Sequence, residues 1–149
     1  MNDTNSAYPA ALITGAAKRI GSHITRTLHA AGYNIIIHYR SSRDEADTLA
    51  DFLNDQRADS ARIAQADLND SDSYQTLIDE AHAHWSRLDV LVNNASSFYP
   101  TPVGEMNMDN WNDLVNSNMR APLFLSQAAA PYLKQNAGCI INMVDVHAQ

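Results

Sequence analysis

Near its N-terminus the chain reads LITGAAKRIG, Leu12 to Gly21. Thr14, Gly15, Ala16 and Ala17 are small enough to let a backbone turn sharply. The helical spacing that resumes at Ile20 aims a helix N-terminus at that turn, and free N–H groups there favour an anion such as a phosphate. Arg19 is the anomaly. It stands beside Lys18 where many such loops carry a glycine, so two long cations occupy a place where backbone must come close to its ligand.

Further stretches could take part in the same chemistry. Arg40-Ser41-Ser42-Arg43 follows an apolar run, with no acid before Asp44. An acidic residue at that strand end would bind a ribose 2′-hydroxyl, whereas two arginines and two hydroxyls suit a 2′-phosphate, with Lys18 close by. Asp67-Leu68 ends another run, and its carboxylate either accepts from an adenine amino group or closes a turn. NNASSFYPTPV (Asn93 to Val103) places Asn93, Asn94, Ala95 and Ser96 at a strand end, then Phe98 and Tyr99 in a proline-punctuated loop. A loop aromatic there either packs or stacks on a flat substrate. Asp145 ends the last apolar run, as a turn residue or as a proton-handling carboxylate. The histidines suggest no metal. His82 and His84 are two apart on a helical stripe and point to different faces, and His23, His29 and His38 are scattered, which reads as surface or packing.

The elements that must position these residues follow from periodicity. Apolar runs at Ala10 to Thr14, Tyr33 to Tyr39, Ala61 to Ala66, Leu88 to Ala95 and Cys139 to Val144 read as strands. Helical stripes separate them. The first is Ile20, Ile24, Leu28 and Ala31, ended by Gly32, and the second is Ala46, Leu49, Ala50 and Leu53. The third is Tyr74, Leu77, Ile78, Ala81 and Trp85, capped by Asp70 or Ser71. Met108, Trp111, Leu114 and Val115 open a long helix reaching about Lys134. This βαβαβαβαβ pattern is an α/β fold, a doubly wound parallel sheet with helices on both faces, read as a single domain over residues 1–149. Ligands bind beyond the carboxyl ends of such strands, where every candidate above lies.

Composition sets outer bounds. The chain has 149 residues, and 45% of them are hydrophobic, which supports one folded domain. Seventeen acidic and ten basic residues give a net charge of −7, which argues against a general nucleic-acid or anionic-membrane partner while leaving room for a local basic pocket. The single Cys139 makes no internal disulfide and reads as a small buried side chain. The polar N-terminus is unlike a signal peptide, and no run reaches membrane-spanning length. A reducing cytoplasm is the expected setting.

Taken together these residues resemble the short-chain dehydrogenase/reductase family from about Ala10 onward, which implies a Rossmann-type sheet of strand order 3-2-1-4-5. Thr14, Gly15 and Gly21 match the family's glycine loop; Asp67 matches its adenine motif; Asn93-Asn94-Ala95 matches its strand-four motif; Asn118 matches its catalytic asparagine. Three departures, Arg19 for glycine, Ser96 for glycine and Asp145 for the catalytic serine, are similar to the pteridine reductase branch. The resemblance implies NADPH as cofactor, held by Thr14, Gly15, Lys18, Arg19, Ile20, Gly21, Arg40, Ser41, Ser42, Asp67, Leu68, Asn94, Ala95 and Ser96. It implies a pterin or folate substrate met by Arg19, Ser96, Phe98 and Asp145, with Asp145 and Asn118 in catalytic roles. Arg19 would then turn toward the pyrophosphate and reach the pterin edge, and Phe98 would face the nicotinamide across a slot for a flat ring. The helix at Asn118 is expected to open just before Pro122.

The family's Tyr-x-x-x-Lys pair is absent from this sequence. Tyr8, Tyr33, Tyr39, Tyr74, Tyr99 and Tyr132 all lack a lysine four residues on. The reading is therefore of a fragment, inactive by itself, with an exposed apolar edge at Cys139 to Val144; the full-length form is expected to be a homo-oligomer. The alternatives are a non-catalytic nucleotide-binding half-fold and a reductase of another carbonyl substrate.

Overall fold

The computed structural model describes residues 7–144. Its elements run β1 (Ala10–Ile13), α1 (Arg19–Ala30), β2 (Asn34–Tyr39), α2 (Arg43–Gln56), β3 (Ala61–Gln65), α3 (Ser73–Ala83), β4 (Val90–Asn93), α4 (Met108–Val115), a π turn (Asn116–Arg120), α5 (Ala121–Gln135) and β5 (Cys139–Asn142). The strands form one sheet of order β3-β2-β1-β4-β5, parallel throughout, as the alternating pattern requires.

Period-two alternation along the strands feeds two cores. Leu12, Ile36 and Leu91 face Leu77 and Ile78 of α3 and Leu125 and Leu133 of α5. Ile13, Ile35, Ile37 and Val92 face Leu49 and Leu53 of α2, with Ile24 and Leu28 of α1 partly buried against them. Both faces of the central strands are covered, so β1 and β2 are buried along their whole lengths and read as unbroken apolar runs. Each fully buried isoleucine in β2 contributes on the order of 2 kcal/mol.

Several details differ from the sequence expectation. The α3 N-cap is Asp72, because the residues before it form a turn of their own, in which Asp70 Oδ1 accepts from the Asp72 N–H at 3.0 Å. The long helix is interrupted, with the five-residue π turn lying directly before Pro122, where the backbone was expected to open. Met108 and Trp111, at the start of α4, are 67% and 52% exposed among the described residues, while Leu114 and Val115 on the same stripe are half-buried. Cys139 is exposed rather than buried, because β5, exposed at all four positions, pairs only with β4 among the described residues and forms the apolar edge expected at Cys139 to Val144. Among the described residues no helix is long and apolar enough to cross a membrane.

Candidate active site

The carboxyl ends of β1, β2, β3 and β4 open into one pocket of about 450 Å³, lined by Gly15, Lys18–Gly21, His38, Arg40, Asp67–Asn69, Asn94–Ser97 and Ser117. This size is ordinary for a cofactor site.

The β1 turn is built from interlocking backbone and side-chain bonds. Gly15 has φ +60°, which its lack of Cβ permits. Gly21 is fixed by space, since a Cβ there would lie 2.1 Å from the Gly15 carbonyl oxygen and 2.8 Å from Asn94 Nδ2. Arg19 adopts φ +50°, the left-handed conformation that glycine takes in such loops. The arginine therefore keeps a glycine's backbone and carries a cation as well. Lys18, the N-cap of α1, makes no side-chain cap bond, which leaves the first helical N–H groups open to the pocket.

Thr14 and Asn94 hold this turn to β4 from beneath. Thr14 is 1% exposed, and its hydroxyl accepts from the Asn94 and Ala95 N–H groups at 3.0 Å each. Asn94 Nδ2 donates to the Thr14 and Gly15 carbonyls at 2.9 and 3.2 Å. Thr14 thus lies behind the pocket lining and Asn94 joins it with its amide already engaged.

At the end of β2, Arg40 lines the pocket, while Ser41 and Ser42 lie outside the lining, Ser42 as the N-cap of α2. Lys18 Nζ sits 2.6 Å from Glu45 Oε1 in the first turn of α2, and this hydrogen bond holds the Glu45 carboxyl below the usual glutamate range. At the end of the neighbouring strand β3, Asp67 and Leu68 also line the pocket, and Asp67 Oδ1 accepts from the Asn69 N–H at 2.9 Å. Asp67 is thus a turn former that also lines the pocket.

Ser96 and Ser97 close the side above β4. The Asn118 side chain clasps Ser97: its Oδ1 accepts from the Ser97 N–H and its Nδ2 donates to the Ser97 carbonyl, both at 2.9 Å. Phe98 follows at 87% exposure, so core packing among the described residues does not account for the ring. Asp145 lies outside the described residues.

His38 was not anticipated as part of this site. It is 2% exposed, accepts from the Gly15 N–H on Nδ1 at 3.1 Å and donates from Nε2 to the Ala66 carbonyl at 3.1 Å. Burial drives its pKa down to about 4, against smaller opposing effects of the Ala66 hydrogen bond and the Asp67 charge. A neutral imidazole thus ties the β1 turn to the end of β3. The signal was available, since a lone histidine inside the apolar run Ile35-Ile36-Ile37 must find partners for both ring nitrogens once buried.

Residues 9–149 match the family model described as short chain dehydrogenase. The chain is 39% identical to pteridine reductase 1 of Leishmania tarentolae, over 95% of this chain and 62% of that protein. It is 34% identical to a 3-oxoacyl-(acyl-carrier-protein) reductase of Staphylococcus aureus, over 91% of this chain and 55% of that protein. It is also 34% identical to the short chain dehydrogenase/reductase dpchG of Colletotrichum higginsianum, over 95% and 54%. The chain therefore spans somewhat over half the length of these relatives.

Proposed function

The chain belongs to the short-chain dehydrogenase family, and we propose that it forms the NADPH-binding domain of a reductase that acts on a pterin or dihydrofolate-type substrate. The observation that carries this reading is the meeting of the β1 turn, Arg40, Asp67 and Ser96 at the rim of one pocket above an uncapped helix N-terminus. These residues fit a dinucleotide. Open N–H groups of α1 with Arg19 suit a pyrophosphate, Asp67 with Leu68 suits an adenine edge, and Arg40 suits a 2′-phosphate, with Ser41 and Ser42 following it just outside the lining. Lys18 would join them by exchanging Glu45 for the phosphate, a small cost because the pair is half-exposed.

NADPH, when bound, supplies the hydride. The chain's own residues bind, orient and manage protons. Asn94, Ala95 and Ser96 hold the nicotinamide end of the site, and Asn118 steadies that wall through Ser97. Ser96 and Arg19 address the polar edge of the substrate, and the exposed Phe98 ring offers it a stacking face. Asp145 is assigned to proton handling near the reacting centre. The family's Tyr-x-x-x-Lys pair is not among these 149 residues, so turnover is proposed for a protein in which these residues act together with such a pair.

The pterin assignment rests on Arg19, Ser96, Phe98 and Asp145 occurring together, and on pteridine reductase being among the relatives. The competing substrate class is a 3-oxoacyl thioester, which the Staphylococcus relative's name specifies for that protein. Steady-state assays of NADPH oxidation with a dihydropterin and with a 3-oxoacyl thioester separate the two. Faster turnover of the dihydropterin supports the reading, and turnover of the thioester alone overturns it.

A further inference from the structure

The π turn Asn116–Arg120 is engaged at two places on opposite walls of the pocket. On one side Asn118 clasps Ser97, while the Ser117 hydroxyl donates back to the Asp113 carbonyl at 2.8 Å. On the other side Arg120 reaches the loop after β3. Its Nη2 donates to the Asn69 carbonyl at 2.6 Å and its Nε to the Tyr74 hydroxyl at 3.3 Å, while that hydroxyl donates to the Leu68 carbonyl at 2.7 Å. Asn69 Nδ2 donates in turn to Asp113 of α4 at 2.9 Å, just before the π turn. The loop that would meet adenine and the loop that would meet substrate are thus both fastened to one short stretch of helix.

The chemistry of this fastening is specific to arginine. A planar guanidinium presents Nε and Nη2 in a fixed fork, so two acceptors can be held at once, whereas an ammonium group is a single point. The backbone it grips is otherwise a loop of turns (Asp67 to Asp72), whose Asn69 Oδ1 is buried without a partner among the described residues. A π turn is itself a local departure from α-helix, with the Ala121 N–H donating to the Asn116 carbonyl, and such turns cluster at functional sites.

We propose that Arg120 is a positioning residue: it ties the adenine-side loop to the helix turn bearing Asn118, so that filling the adenine end of the pocket orders Ser97 and the loop carrying Phe98. This rests on the NADPH reading of the pocket. Linkage makes the effect reciprocal, so a ligand that settles the Ser97 side also strengthens binding at the Asp67 side. Neither Arg120 nor Tyr74 lines the pocket, so they act through the groups they hold.

The Ser97 amide is a direct reporter because its hydrogen is held by Asn118. Hydrogen exchange at that amide is measured on the full chain with and without adenosine 2′,5′-bisphosphate, a probe that carries the adenine, the 2′-phosphate and one 5′-phosphate but no nicotinamide half. The expected result is slowing by about fivefold or more on binding, a typical coupling magnitude. Arg120→Met should still bind the probe but lose most of the slowing, and Arg120→Lys should recover part of it. Tyr74→Phe, which keeps the ring and removes the hydroxyl relay, gives an independent reading if Arg120→Met fails to fold, and should diminish the slowing. A merely structural arginine would alter thermal stability while leaving the ligand-dependent slowing intact. Binding without slowing at Ser97, or equal slowing in the variants and the parent, overturns the proposal. Failure of the probe to bind overturns the NADPH reading, and this inference with it.

Discussion

Replacing Arg19 by glycine should move stability and cofactor affinity in opposite directions. Arg19 holds φ +50°, a region that costs a side-chain-bearing residue about 1–2 kcal/mol. Glycine removes that strain but enlarges the unfolded ensemble by roughly 0.5–1 kcal/mol. The net expectation for Arg19→Gly is a gain of about 0.5–1 kcal/mol. Loss of a charge-assisted contact to the pyrophosphate should meanwhile weaken NADPH by about ten- to hundredfold. Arg19→Ala separates the two effects, because alanine loses the charge and keeps the strain. Urea midpoints at constant m-value report stability, and NADPH fluorescence titration reports affinity. The account expects Gly to raise the midpoint, Ala not to raise it, and both to weaken NADPH. A destabilised Arg19→Gly, or unchanged affinity in both variants, refutes the reasoning.

Arg40→Asp should weaken NADPH by about ten- to hundredfold more than NADH, measured by parallel titrations; equal losses would count against a 2′-phosphate site at Arg40. In a complete protein that carries the Tyr-x-x-x-Lys pair, Phe98→Ala should raise the KM for a dihydropterin far more than the Kd for NADPH, and unchanged pterin kinetics would remove Phe98 from the substrate slot. His38 gives a pH prediction. Its folded pKa of about 4 lies below its unfolded value of 6.5, so the unfolded chain takes up the proton first as pH falls. The contribution is intact above about pH 6.5, declines toward pH 4, and is lost there by on the order of 3 kcal/mol. His29 and His84, also lowered by burial, change in the same direction. The diagnostic is therefore the difference in urea-midpoint slope between the parent and His38→Asn, which should be shallower between pH 6.5 and 4.

Much of this was legible in the sequence because α/β chemistry is local to strand ends. Ile35-Ile36-Ile37 could only be a strand covered on both faces, and the residues after each strand then had to meet at one edge of the sheet. Glu45 as partner of Lys18 was not legible, because an acid in a first helical turn is ordinary and its reach to a neighbouring loop is a tertiary fact. No spacing marks a scattered histidine such as His38 as a site residue, although its apolar neighbours imply burial. The Arg120 bonds to Asn69 and Tyr74 join residues far apart in the chain, so no local pattern could announce them. The exposed edge at Cys139 to Val144 follows from the sequence, whereas reading Cys139 as buried rests on its apolar neighbours alone and conflicts with that edge.

The central claim is that this pocket holds NADPH with its nicotinamide beside a flat ring over Phe98. Its most direct test is isotope transfer. A protein that joins these residues to a Tyr-x-x-x-Lys pair is given a dihydropterin and NADPH carrying deuterium at the transferable C4 position, and the reduced pterin is weighed by mass spectrometry. The account predicts one deuterium in the product, and strong suppression of that transfer by Phe98→Ala. A reduced pterin without deuterium, or equal transfer by Phe98→Ala, would contradict it.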